Sequence, residues 1–169
     1  IGNDLEKNLF STFGHIEAIS LSSDGSIIAI GGPNPIDGEV YKRRVCIYQN
    51  QNDNWIQLGS NIKWGGEGFG NSLQLSDDGK VVLIGIYSAS QTSPFLYSMG
   101  AAEVYGFNEN TSEWGLLGER IIGERGYENA GYSVSISGDG KRVAVGAPGI
   151  YSSHKLQSHG ITRVYEKST

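Results

Sequence analysis

Residues 131–148 read Gly131-Tyr132-Ser133-Val134-Ser135-Ile136-Ser137-Gly138-Asp139-Gly140-Lys141-Arg142-Val143-Ala144-Val145-Gly146-Ala147-Pro148, and this stretch decides the fold. Its first half alternates. Val134 and Ile136 fall on one face of an extended chain, the period expected of a half-buried strand. Asp139-Gly140 follows, a pair that closes a tight hairpin because glycine accepts the positive φ the turn needs. Beyond it, Val143 to Val145 is continuously apolar, as expected of a strand covered on both faces.

The pattern occurs three times. Ser22-Ser23-Asp24-Gly25, Ser76-Asp77-Asp78-Gly79 and Ser137-Gly138-Asp139-Gly140 are the same turn, about 54 and 61 residues apart. Gly31, Gly85 and Gly146 each stand six residues after the Asp-Gly glycine, and Gly14, Gly70 and Gly131 each head the strand before the turn. A later strand ends in Tyr48, Tyr105 or Tyr165. Trp55 and Trp114 each precede a Leu-Gly step by three residues, at Leu58-Gly59 and Leu117-Gly118; Ile1-Gly2 matches that step without its tryptophan. A repeat of this length should be recognised before any fold is assigned. It predicts an all-β chain of three four-stranded antiparallel meanders, 1–54, 55–113 and 114–169, arranged as propeller blades. The first unit is expected to be cut at its N-terminus, so the array is a partial propeller or part of a larger one.

Composition narrows the function classes. The 169 residues carry a net charge of −5, which argues against nucleic acid as a partner. Glycine is the outlier at 25 residues, about twice an average share of ~7%. An apolar run such as Val81-Val82-Leu83-Ile84 is far short of a membrane-spanning helix, so no membrane insertion is expected. One cysteine, Cys46, excludes an internal disulfide framework and a multi-cysteine zinc site.

The order Trp-x-x-Leu-Gly, Gly-x-Ser-Val-x-Ile-Ser-x-Asp-Gly, Val-Ala-Val-Gly-Ala-Pro and Val-Tyr resembles FG-GAP repeats, which build the seven-bladed propeller at the head of integrin α chains. The third unit is closest. The second has Phe69-Gly70 but Ile84-Gly85-Ile86 in place of Gly-Ala-Pro, and the first has Phe13-Gly14 and Gly31-Gly32-Pro33. The resemblance covers essentially the whole chain and implies an extracellular or cell-surface protein of the algal, protist or bacterial type. Many such repeats hold calcium in an acid-rich loop, since calcium takes six to eight oxygen ligands. The matching loops here run from Asn34 to Lys42, Tyr87 to Met99 and Gly149 to His159. The first has only Asp37 and Glu39, and the others have no acid. No metal or cofactor is therefore expected.

No catalytic residue is singled out. Asp24, Asp78 and Asp139 are read as structural turn residues that bond their own backbone. His154 and His159 share a loop without a supporting carboxylate, and Cys46 in an apolar strand is a small hydrophobe. The long equivalent loops Gly85 to Gly100 and Gly146 to Gly160 are the best binding candidates, through Tyr87, Gln91, Phe95, Tyr97, Tyr151, His154 and Gln157. Exposed rings mixed with amides suit sugars or protein partners, on loops carried by a rigid scaffold. Asn110-Thr111-Ser112 is a candidate N-glycosylation sequon.

Three functions follow. The leading one is a non-catalytic extracellular module for adhesion or structural assembly, acting through protein–protein contacts or self-assembly at open sheet edges. The alternative is a carbohydrate-binding module using the Tyr-rich loops. The third is a hydrolase with its site at the propeller mouth, for which Glu67 and Glu124, in matching Gly-Glu steps, are the carboxylates to test.

Overall fold

Each Asp-Gly turn closes a hairpin, and each hairpin grows into a sheet. A computed structural model describes residues 15–33, 43–64, 68–92, 95–96, 98–149 and 159–167, with backbone only at 64, 91–92 and 95–96. The first sheet holds β1 (Ala18–Leu21), β2 (Ile27–Pro33), β3 (Arg43–Gln51) and β4 (Asn54–Gln57) in that order, and β5 (Ile62–Trp64) also pairs with β3. The second holds β6 (Phe69–Leu75), β7 (Val81–Ile86), β10 (Ala101–Asn108) and β11 (Glu113–Leu116), with β12 (Ile121–Ile122) also on β10. The third holds β13 (Ser133–Ile136), β14 (Arg142–Ala147) and β15 (Ile161–Glu166). The strands β8 (Gln91–Thr92) and β9 (Phe95–Leu96) form a small hairpin within the loop after β7. All pairings between these strands are antiparallel. No helix occurs among the described residues.

The sheets stack face to face as propeller blades. β6 packs against β1 and β2 on one side and against β13 on the other. Two apolar layers result. Ile27, Ala29, Val45 and Ile47 meet Leu73, Leu75, Val82 and Ile84 between the first two sheets. Leu83 and Ala102 meet Ile136, Val143 and Val145 between the last two. The chain is thus all-β, three antiparallel meanders arranged as a partial propeller.

Two features refine the sequence expectation. The Trp-x-x-Leu-Gly strand, which opens a unit in sequence, pairs with the sheet before it: β4 joins β3 and β11 joins β10. Sequence unit and sheet are offset by one strand. The Leu-Gly step then interrupts this outer strand, because Gly59 and Gly118 take φ values of 72° and 75°, a conformation glycine adopts without steric cost. Second, the apolar runs of β2 and β7 are buried along almost their whole length, whereas burial in β14 alternates between faces. Val143 to Val145 was expected to be covered on both sides. Only one side is covered: Val143 and Val145 pack toward the second sheet, while Val164 on the neighbouring strand is exposed on the other face.

The recurring glycines make the stacking possible. A Cβ at Gly31 would overlap the carbonyl oxygen of Gly70, and one at Gly85 would overlap that of Gly131. Each sheet therefore receives the head of the next strand against a bare Cα. A methyl group there would hold the sheets apart.

Candidate functional site

Neighbouring sheets are joined by hydrogen bonds, two of which recur at both junctions. At the Asp-Gly turns, Ser23 N donates to Asp77 O at 2.9 Å and Asp77 N donates to Gly138 O at 2.9 Å. Midway along the inner strands, Leu75 N donates to Ser20 Oγ at 3.0 Å and Ile136 N to Gln74 Oε1 at 2.9 Å. Ser72 Oγ donates to Gly131 O at 2.7 Å. On the outer strands, Trp114 Nε1 donates to Leu58 O at 2.7 Å, while Glu113 accepts from the amide and hydroxyl of Ser60.

Both ends of the stack expose part of such an interface, although on the first sheet Ile28, Ile30, Cys46 and Tyr48, which share the face of Ile19 and Leu21, are buried. On β1, Ile19 is 65% exposed and Leu21 56%. Their repeat equivalents on β6, Leu73 and Leu75, are 8% and 4% exposed, because the first sheet covers them. At the other end Ser135 holds the acceptor position of Ser20 and Gln74. Val164, 68% exposed, stands where Ile47 and Val104 are covered. Arg142 and Glu166, paired at 2.8 Å, stand where β7 and β10 carry Val81 and Gly106, so this end is more polar at its turn side.

The turn aspartates work locally. Asp24 accepts from the Ser22 hydroxyl at 2.7 Å and from the Ser26 amide at 2.9 Å. Asp78 accepts from Ser76 and the Lys80 amide, and Asp139 from Ser137 and the Lys141 amide. The Ser22 hydroxyl and Ser26 lower Asp24 to about 2. Burial pushes Asp78 up, but the Ser76 hydroxyl and Lys80 amide outweigh it and leave it below its ordinary value. Asp139 is lowered chiefly by the Ser137 hydroxyl. Asn110 is exposed at the tip of the β10–β11 turn.

One repeat position carries three chemistries. Cys46, Glu103 and Arg163 each precede the strand-end tyrosine by two residues. The Cys46 thiol donates to Asn61 Oδ1 at 3.0 Å, and burial pushes it up to about 11. Buried Glu103 accepts from Arg120 Nε at 2.7 Å and from the Tyr105 hydroxyl at 2.8 Å; burial and that bond raise the Tyr105 phenol. Arg163 bonds Glu128 and also meets Glu124 at 3.2 Å. Glu128 further accepts from the amides of Glu124 and Arg125. Burial pushes Glu128 up, but Arg163 and those two amides outweigh it and hold it below its ordinary value. These acids neutralise arginines and satisfy backbone. Glu67 lies outside the described residues. Among the described residues, no three His, Cys, Asp or Glu side chains cluster as metal ligands.

Of the loop candidates, Tyr87 is half-buried and meets the edge of Tyr132 at 6.0 Å and 73°. Gln91 and Phe95 lie on the β8–β9 hairpin, and Tyr97, Tyr151, His154 and Gln157 lie outside the described residues. The structure adds exposed Tyr127 and Tyr132 to this end. Residues 123–132 run between the two long loops, with Asn129 N donating to Ser98 O and Gly149 N to Glu128 O. Sequence reading passed over Tyr132 because it fills the variable position of Gly-x-Ser-Val.

No family model matches the chain, and no curated protein does. Solved structures do. A eukaryotic initiation factor aligns with a TM-score of 0.54 at 15% identity, over 90% of this chain and 30% of its own. Hydrazine synthase of Kuenenia stuttgartiensis aligns at 0.49 and 18% identity, over 82% and 31%. The β-propeller domain of the trilobed protease from Pyrococcus furiosus aligns at 0.41 and 12%, over 91% and 55%. The chain spans about a third of the first two structures. At such identities the likeness concerns fold alone.

Proposed function

We propose that the chain is a non-catalytic propeller module that works by protein–protein association through its open sheet ends, outside the cell or at its surface, in adhesion or structural assembly. One observation carries the reading. The positions buried between sheets as Leu73 and Leu75 are Ile19 and Leu21 on the first sheet, and these two stand exposed at the rim of a face whose Ile28, Ile30, Cys46 and Tyr48 are buried. The third sheet meanwhile offers the bare glycine, acceptor side chain and turn amide that the other sheets use to receive a neighbour. Such complementary, non-identical faces join head to tail, which gives rings when the rotation closes and filaments when it does not. The FG-GAP resemblance supports the extracellular setting, and the saturation of Glu103 and Glu128 supports a non-catalytic role.

Disulfide trapping tests this. By analogy with Leu75 N on Ser20, head-to-tail docking sets Leu21 of one copy beside Ser135 of another. Leu21→Cys and Ser135→Cys proteins, mixed under mild oxidation, should give a mixed dimer in preference to either homodimer. Random or absent cross-linking would refute the docking. A glycan-binding role is favoured by the Tyr87–Tyr132 pair, an edge-on aromatic corner that fits a sugar face. Retained binding to a glycan array after Tyr87→Ala and Tyr132→Ala would remove that reading.

A further inference from the structure

Each of the three turns holds an Asp-Gly bond, at Asp24-Gly25, Asp78-Gly79 and Asp139-Gly140. This bond has a chemistry of its own. The glycine amide nitrogen can attack Cγ of the aspartic acid side chain, because no Cβ on glycine stands in the way. A C–N bond forms, and the acid's hydroxyl leaves with the amide proton as water. A second water then opens the resulting succinimide at either carbonyl. Opening at the main-chain carbonyl leaves isoaspartate, with one extra methylene in the backbone. In a hairpin turn that methylene would disturb the register of the strands on either side.

Both reacting groups are held in these turns. Gly25 N donates to Ser22 O at 3.0 Å, Gly79 N to Ser76 O at 3.0 Å and Gly140 N to Ser137 O at 2.8 Å. Asp24, Asp78 and Asp139 each accept from the hydroxyl of the serine two residues back, at 2.7, 2.6 and 2.6 Å. Each also accepts from the amide two residues on, at 2.9, 2.9 and 3.0 Å. The serine is itself pinned, since its Oγ accepts the first amide of the following strand. The donors are Ile27 N at 2.9 Å, Val81 N at 3.0 Å and Arg142 N at 2.9 Å. Attack therefore requires the aspartate to leave its serine and the glycine amide to leave its turn. The same bonds favour the carboxylate over the acid that must lose its hydroxyl, and all three groups lie below their ordinary value.

We propose that the recurring serine, Ser22, Ser76 or Ser137, guards a modification site. It holds each Asp-Gly bond against succinimide closure, and the turn isomerises only from states in which that hold has opened. Asp24 is held most firmly, because the Ser26 hydroxyl adds bonds to both its carboxylate oxygens, at 2.8 and 2.9 Å. The guard matters beyond the turn. Ser23 N on Asp77 O and Asp77 N on Gly138 O join neighbouring sheets through these same turns, so isoaspartate at 78 or 139 would loosen a junction. The inference concerns the chain's own turns and stands whether or not the sheet ends associate.

The intact protein is held for weeks at neutral pH and body temperature and then digested, and isoaspartate at each turn is measured by mass spectrometry. A free peptide of sequence Ser135–Ala144 gives the unguarded rate. Asp139 in the folded protein should convert at least about tenfold more slowly than in the peptide, since each bond to be broken adds to the barrier. Asp24 should convert most slowly of the three. Ser137→Ala should speed Asp139 by about fivefold, the factor one lost hydrogen bond supplies. Asp24 and Asp78 should keep their rates in that variant, which shows that it remains folded. Ser137→Thr, which keeps the hydroxyl, should restore the protection. Asp139→Asn reads the geometry without the ionisation. Its deamidation, with ammonia leaving in place of water, should again be at least about tenfold slower folded than in the matching peptide. Conversion of folded Asp139 at the peptide rate, or an unchanged rate in Ser137→Ala, would overturn the proposal. So would equal acceleration at all three turns, which would assign the protection to the fold and not to the serine.

Discussion

Replacing Trp114 with alanine should loosen a sheet to which Trp114 does not belong. The residue sits on β11 of the second sheet, but its ring covers Leu58-Gly59 of the first and its Nε1 bonds Leu58 O at 2.7 Å. Truncating a fully buried tryptophan costs about 3–5 kcal/mol. Trp114 is half-buried, so roughly half of that applies, about 2 kcal/mol. The lost hydrogen bond adds about 1 kcal/mol. A total near 3 kcal/mol should lower the melting temperature by roughly 6–12 °C for a chain of this size. Trp114→Phe keeps most of the ring and loses the donor, so it should cost about 1 kcal/mol. The assay is urea unfolding followed by circular dichroism, joined to hydrogen exchange at the Leu58 amide, which bonds Ile47 O in the first sheet. Exchange there should accelerate in Trp114→Ala. A cost under about 0.5 kcal/mol, or an unchanged Leu58 amide, would refute the idea that this indole staples neighbouring sheets.

Three further outcomes follow from the packing. Gly85→Ala should prevent stable folding, because the added methyl meets the Gly131 carbonyl and the Ser72 hydroxyl. Gly146→Ala, whose nearest obstacle is the movable Ser133 hydroxyl, should be tolerated; thermal melts compare them. The folded-state values of Asp24, Asp78 and Asp139 lie below those of unfolded aspartate, near 3.9. Their stabilisation is present above that value and fades as pH falls toward 2, so melting temperature should be flat from pH 7 to 5 and drop below about pH 4. Asp78→Asn should shrink that drop. Cys46, buried and raised to about 11, should resist a thiol reagent at pH 8 in the native protein and react on unfolding.

The strands were legible in the sequence because their signals are local. Asp-Gly turns, period-2 alternation at Val134 and Ile136, and apolar runs such as Val81 to Ile84 each specify their own hydrogen-bonding neighbourhood. The spacing of Gly31, Gly85 and Gly146 also announced a recurring close approach, though only the structure shows what approaches. The outer strand of Trp55 and Trp114 was legible as the one after the tyrosine strand, across the polar loops Gln49 to Asn54 and Asn108 to Glu113, but the unit bounds set it at the head of the next unit. A repeat can be cut at any strand, and pairing of β11 with β10 depends on the turn at Asn110 rather than on the motif itself. The open ends were hidden for a related reason. Ile19 and Leu21 read the same as Leu73 and Leu75 in sequence, and only their packing sets them apart. One trace was there to be found: Arg142 and Glu166 break a column that is otherwise Val81 and Gly106 or Ile27 and Gln49.

Light scattering on the unmodified chain over a wide range of concentrations tests the central claim most directly. If the open sheet ends are association surfaces, the mass rises above 18.2 kDa with concentration, either to a closed dimer or to a growing series. A mass of 18.2 kDa at every concentration would contradict it.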